Sequence, residues 1–333
     1  MKADAIRKPF RLRPAGKDYL WGGHRLNEEF AKDLPMDPLA ETWECSTHVN
    51  GESFVDSGVF AGMPLRQVLK ENPDFISIPA TVCDGDLPIL VKLIDARRWL
   101  SVQVHPDDDY ARTVENQPRG KTEMWYIMDS KPGSSMVVGF ADAIEEDELR
   151  DKIVSGRVGE SLRYIRPKKD EIYMIEPGTV HAIGPGLLIA EVQESSDLTY
   201  RLYDYNRTDK NGKKRELHVD KALQVINREA GKPERNKVRI RKYRTGYDSE
   251  FLCRCRYFEV ERININTSCC RDLPQVTPDQ NAFCVLLCLD GCGALYMEDG
   301  DNLRVFKGDC IFVPAASAPF RFHGVMTCLK IMS

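Results

Sequence analysis

Short runs of β-branched, aliphatic and aromatic residues, cut apart by Gly, Pro and Asp, recur along most of this chain: WLSVQVHP, EMWYIMD, SMVVGF, EIYMIEPG and LLIAEVQ, then CVLLCLDG, ALYMEDG, LRVFKGD and CIFVP. Runs of this length with turn residues at such intervals specify antiparallel strands in a sandwich or barrel. Helical periodicity is confined to 63–72, 143–154 and 216–229, where apolar positions recur three or four apart with charges between them. These segments are expected as insertions and a connector packed around the sheets, so the expected fold class is mainly β with a few inserted helices.

At 333 residues the chain exceeds one ordinary hydrophobic core. The segment RTDKNGKKRELHV, rich in charge and turn residues, leads into the third helical stretch. It places a boundary near residue 215, giving units 1–215 and 216–333. A short internal echo supports two related units: DEIYMIEP at 170–177 and GDCIFVPA at 308–315 share their alternation and their Pro-bearing turn.

A formal net charge of -4 and the lack of any Lys/Arg block argue against a nucleic-acid binder. No run approaches the ~18 apolar residues of a membrane helix, and the opening MKADAIRKPFRLRP lacks the apolar core of a secretory signal. A cytoplasmic location is the resulting expectation. The eleven cysteines are odd in number and lie largely in strand-like runs, so they read as reduced, mostly buried thiols.

In Val102-Gln103-Val104-His105 the polar residues are two apart. On a strand, both side chains leave one face while the valines leave the other. Glu123 opens the apolar run MWYIM, where an inward carboxylate needs a partner such as a metal ion. His181 follows the turn Glu176-Pro177-Gly178-Thr179-Val180 and would close the set from a third strand. A lone strand histidine is more often a core residue, but four such groups with only six histidines in the chain favour a metal site. Two imidazoles, one carboxylate and one amide oxygen suit Zn2+ and tolerate manganese, iron or cobalt. Lys92 in LVKLI, Glu44 in TWECS and Glu191 in LIAEVQ are charged residues set among strand-like neighbours. Each is a candidate for substrate binding or for orienting a ligand.

The segments QVHPDD (103–108), GKTEMWYI (120–127), PGTVHAIGPG (177–186) and SDLTYRLYDYNR (196–207), with LWGGHRL and ETWECS upstream, closely resemble type I mannose-6-phosphate isomerases, in particular the short bacterial form. The resemblance is strong over roughly residues 15 to 230 and weak beyond. It implies two cupin jelly-roll units: an N-terminal metal-bearing one and a C-terminal degenerate one that packs, caps or forms a homodimer. It also implies one zinc per chain on Gln103, His105, Glu123 and His181, with Lys121 beside the carboxylate ligand and Arg201 after the Ser-Asp segment as catalytic residues. Longer members have His-Lys-Pro-Glu where this chain reads Gly120-Lys121-Thr122-Glu123, so a histidine proposed there for proton transfer is absent. His323 lies where the second unit lacks matching partners, and it reads as structural or surface.

The activity implied is interconversion of mannose 6-phosphate and fructose 6-phosphate through a cis-enediolate, with Arg201 and Lys92 as candidates for substrate or intermediate charge. The base stays open between Lys121 and a metal-bound water. Two rival readings are a metal-dependent dioxygenase, against which Gln in the ligand set and the pocket cations argue, and a non-catalytic sugar-phosphate-binding cupin, which would not need Lys121 and Arg201 around an intact metal set.

Overall fold

The computed structural model describes residues 7–77, 85–208, 212–231 and 240–333. Cys83 and positions 209–211 of the expected boundary segment lie outside the described residues. The protein is mainly β, with three antiparallel sheets and short helices at their margins.

A six-stranded sheet runs in the order Ile172–Ile175, Glu123–Ser130, Leu187–Glu194, Ile89–Ala96, Glu41–Cys45, Ala15–Lys17. Facing it is a five-stranded sheet in the order Tyr200–Tyr203, Val102–Val104, His181–Ile183, Met136–Phe140, Leu162–Ile165. The period-2 rule decides which residue goes where. Trp125, Ile127, Ile189 and Ile94 point between the two sheets and share a core with Met136, Val138 and Ile183. The alternate positions Met124, Tyr126, Ala190, Val192, Val91 and Leu93 point the other way, into a core shared with Val285, Leu287, Phe312 and Leu329 of the C-terminal sheet. The six-stranded sheet is thus buried on both faces, which explains why its strands read as nearly continuous apolar runs. Each such side chain, fully buried, contributes roughly 1.5–3 kcal/mol.

The outer face of the five-stranded sheet, Val102, Val104, Val137, Ala182 and Leu202, is covered by the helices Glu146–Val154 and Val219–Val225 through Leu149, Ile153, Ala222 and Leu223. Helix Glu146–Val154 carries three acids in its first turn and Lys152 in its last, complementing its dipole. All three helical expectations correspond to helices, Leu65–Glu71 being the third.

The C-terminal sheet has ten strands. Its spine is the pair Cys284–Met297 and Phe320–Met332, in antiparallel register along nearly their whole lengths. CVLLCLDG and ALYMEDG, expected as two strands, form one. The Asp290-Gly291 signal makes a bulge rather than a turn: register shifts between Cys288 and Asp290, and Gly291 sits at φ +80 where a Cβ would lie 2.2 Å from the Val325 carbonyl oxygen. The N-terminal strand Phe10–Arg13 adds to this sheet, pairing Phe10 with Phe312. In space, the start of the chain therefore joins the elements beyond residue 215.

Candidate metal and sugar-phosphate site

Between the six- and five-stranded sheets lies a cavity of about 530 Å3. Register builds its walls. On the five-stranded sheet, Arg201, Gln103 and His181 are directly opposed across three adjacent strands. On the six-stranded sheet, Trp125, Glu191, Lys92 and Trp43 form a second cross-strand row. Glu123 lies two residues before Trp125 on the same face, and His105 two after Gln103.

His105, Glu123 and His181 converge. Each is at most 1 % exposed, and their ligand atoms lie within 4.8 Å of one another. His105 Nε2 is 3.3 Å from Glu123 Oε1, and His181 Nε2 is 3.8 Å from Oε2. Gln103 joins them, its amide nitrogen 3.3 Å from His181 Nε2. Both histidines are held from behind: Nδ1 of His105 is 2.7 Å from the Leu198 carbonyl oxygen, and Nδ1 of His181 is 2.8 Å from that of Thr179. An Nδ1–H donated to a carbonyl leaves each Nε2 lone pair facing the cluster, the arrangement that ligating histidines need. The turn before His181 is tied to the same place, because the Gly178 N–H donates to the His105 carbonyl at 2.9 Å.

The donors fit a divalent metal. Both oxygens of Glu123 are buried and accept no hydrogen bond, a costly state for a carboxylate unless a cation compensates it. Among the described residues Lys121 is the cation that does so, its Nζ 2.9 Å from Oε1 and 3.4 Å from His105 Nε2. Burial opposes the Glu123 charge, yet Lys121 and then His105 outweigh it and hold the carboxyl well below its ordinary range. Burial first, then Lys121, pushes His105 down to about 3, and burial also lowers His181. The imidazoles are therefore neutral, as ligands must be.

Lys92 and Glu191 line the cavity as an ion pair at 3.2 Å, and the second oxygen of Glu191 accepts from Trp125 Nε1 at 2.8 Å. Burial disfavours the Lys92 charge, but Glu191, Glu41 and Glu123 together raise its pKa. Burial and then Glu123 raise that of Glu191. Arg201 also lines the cavity. Its Nη1 donates to the Glu216 carbonyl at 2.9 Å, while its buried Nε has no partner.

Glu44 is not in the cavity. It is fully buried on the opposite face of its strand, accepting from Thr42 Oγ1 at 2.6 Å and paired with Lys32 at 2.7 Å. The carboxylate that occupies its expected place is Glu41, which accepts from Trp43 Nε1 at 2.9 Å and lies 3.8 Å from Lys92. Trp43 in turn carries Lys17 and Lys92 over its ring, 4.4 and 5.0 Å from the centroid. Sequence reasoning missed Glu41, Trp43, Lys17 and Arg215, all cavity-lining. Parity could have found Glu41, which is two residues from the bulky Trp43. Of the other tryptophans, Trp21 lines the cavity, Trp125 packs beside His181, and Trp99 lies elsewhere, stacked on Tyr205. His323 is exposed. Among the described residues, no further cluster of metal-ligating side chains occurs.

Comparison with known proteins agrees with this geometry. The model of the phosphomannose isomerase type I catalytic domain matches residues 9–150. The probable mannose-6-phosphate isomerase GmuF of Bacillus subtilis is 36% identical over 328 residues, 98% of either chain. The mannose-6-phosphate isomerase ManA of the same organism is 35% identical over 97% of this chain and 98% of its own. Among solved structures, a mannose 6-phosphate isomerase from Bacillus subtilis superposes with a TM-score of 0.88 at 32% identity, covering 97% of this chain and 99% of that one.

Proposed function

The chain belongs to the type I phosphomannose isomerases, and from that premise we propose how its residues interconvert mannose 6-phosphate and fructose 6-phosphate. The protein is an aldose-ketose isomerase with a candidate site for one divalent ion. We assign that ion as Zn2+, held by Gln103, His105, Glu123 and His181, a neutral-rich N/O set suited to it. Such an ion supplies Lewis-acid stabilisation of negative oxygen. The observation that carries this reading is the buried Glu123 carboxylate, which accepts no well-formed hydrogen bond and faces two imidazoles whose Nε2 atoms turn toward it.

The reaction moves a proton between C1 and C2, so the site must hold a proton near the reacting carbons and negative charge on the adjoining oxygens. Lys121 lines the cavity and touches the ligand cluster, and it is assigned to hold and move the proton. Arg201 has an unused donor at Nε and is assigned to substrate or intermediate negative charge. Lys92 and Glu191, fixed against each other and Trp125, are assigned to orient the sugar hydroxyls, with Glu41 taking the role first given to Glu44. Lys92, Lys121 and Glu191 are nearly buried between the facing sheets, where their charge contacts are stronger than in water.

Two further assignments are made. The chain is assigned a division near residue 215 into a catalytic jelly roll and a degenerate second one, supported by the six- and five-stranded sheets lying wholly before that point and most of the ten-stranded sheet after it, with Phe10–Arg13 and Phe54–Val55 crossing over to join the second unit. The enzyme acts in the cytoplasm, a placement supported by the ten described cysteines, all free thiols. A coupled isomerase assay on mannose 6-phosphate, before and after exhaustive chelation, tests the reading. Activity should vanish and return with zinc, and full turnover by metal-free protein would defeat it.

A further inference from the structure

We propose that Tyr257, on the C-terminal sheet, is a positioning residue for the isomerase site and acts through Asp108 on the segment 120–123. The inference rests on the reading that Lys121 and Glu123 belong to the reacting site. Asp108 sits in the QVHPDD motif, and nothing in the metal cluster uses it. The neighbouring Asp107 caps the helix Asp108–Val114 by accepting from the Tyr110 N–H, so Asp108 is free for other work. Its two oxygens face in two directions. Oδ1 accepts from the backbone N–H of Gly120 at 2.9 Å, and Oδ2 accepts from the Tyr257 hydroxyl at 2.9 Å, a contact between residues 149 apart in sequence.

Both ends of this bridge are fixed. Tyr257 stands at the tip of the hairpin joining Tyr247–Arg254 to Glu259–Asn266, closed by Cys255 N–H donating to the Phe258 carbonyl at 2.9 Å. Phe258 is anchored in the core shared with the six-stranded sheet, and the Ser333 hydroxyl donates to the Tyr257 carbonyl at 2.8 Å. At the other end, three successive N–H groups are held: Gly120 by Asp108, Lys121 by the Pro106 carbonyl at 3.0 Å, and Thr122 by Glu194 Oε1 at 2.8 Å. Only glycine fits at 120, because a Cβ there would lie 2.3 Å from the Asp107 carbonyl carbon. The side chains that emerge from this clamped stretch are Lys121 and Glu123.

The hydroxyl matters because Asp108 has a competing partner. Arg112 Nη1 lies 3.8 Å from the same Oδ2. Without the phenol, the carboxylate can turn toward the exposed guanidinium and loosen its hold on Gly120, letting Lys121 and Glu123 drift. The C-terminal sheet, which carries no metal-ligating cluster among its described residues, thereby contributes to chemistry performed elsewhere.

The test uses the metal-loaded full chain with Tyr257→Phe, Asp108→Ala, the double variant and Asp108→Asn, measuring kcat, KM for mannose 6-phosphate and melting temperature. Tyr257→Phe and Asp108→Ala should each lower kcat about ten-fold with KM within about two-fold, a fraction of the ~10²-fold that a 1 Å misplacement costs. The double variant should be no slower than Asp108→Ala. Asp108→Asn should recover most of the loss, since its amide oxygen still accepts from Gly120. Wild-type kcat in Tyr257→Phe, additive losses in the double variant, or a loss that tracks melting temperature without rescue by Asn would overturn the proposal. Lys121→Ala serves as the control. If it keeps normal turnover, the underlying site assignment fails; if it is inactive while Tyr257→Phe and Asp108→Ala are normal, only the positioning role fails.

Discussion

Replacing Glu123 by Gln keeps the shape of the side chain and removes only its charge, so its effects can be worked from the contacts. In metal-free protein Glu123 is the anion paired with Lys121, at 2.9 Å, and both groups are almost completely buried. Breaking one side of such a pair strands the other charge, at a cost of roughly 3–5 kcal/mol. The neutral His105 Nε2, 3.4 Å from Lys121, offers partial relief and favours the lower half of that range. A chain of this size should then lose on the order of 5–10 °C in melting temperature. Glu123→Gln paired with Lys121→Met replaces the ion pair by two neutral groups and should recover most of the loss, giving a coupling of about 2–3 kcal/mol. Urea unfolding of the chelated variants measures this. Metal analysis and the coupled assay on reloaded protein should show the metal and turnover lost in both single and double variants. Additive destabilisation would refute the pairing, and Glu123→Gln with stoichiometric metal and normal turnover would refute the assignment of the carboxylate.

Arg201→Ala should keep the metal and lose turnover, on the order of 10²-fold in kcat/KM for a removed charge-stabilising donor; normal kinetics would remove Arg201 from the mechanism. Glu44→Ala should do the reverse, costing roughly 3 kcal/mol by stranding Lys32 while kcat stays within about two-fold, and a selective loss of kcat would return Glu44 to the site. Metal-free protein should lose stability as pH falls from 7 to 5. Unfolded histidine binds its proton near ~6.5 whereas folded His105 stays neutral down to about 3, so the unfolded state holds more protons throughout that window and stability drops by up to about 1.4 kcal/mol per pH unit per histidine. His105→Gln should flatten that slope, and a urea midpoint independent of pH over the same range would contradict it.

The site was legible where period-2 alternation acts within one run. Gln103 and His105 share a face, Val102 and Val104 go to the helices, and the buried carboxylate at Glu123 is placed where a cation could be held. Glu44 was misread for the same reason that these were not. Faces alternate, and one residue separates a cavity carboxylate from a core one. With Trp43 inward, Glu41 must be inward and Glu44 outward, a parity hidden by the shift between Trp43 and Cys45. The Asp290-Gly291 pair failed differently: a turn signal in sequence becomes a bulge when both flanking strands find one long partner, Phe320–Met332. Contacts such as Tyr257 to Asp108, and the pairing of Phe10 with Phe312, depend on how whole sheets dock. No local pattern encodes them.

Zinc-edge anomalous scattering from crystals of the zinc-loaded protein tests the central claim most directly. One strong peak is expected between the two facing sheets, within about 2.0–2.2 Å of Nε2 of His105 and His181 and a Glu123 oxygen, with the Gln103 amide oxygen turned toward it. A peak elsewhere, or none at a site where these four side chains point apart, would contradict the account.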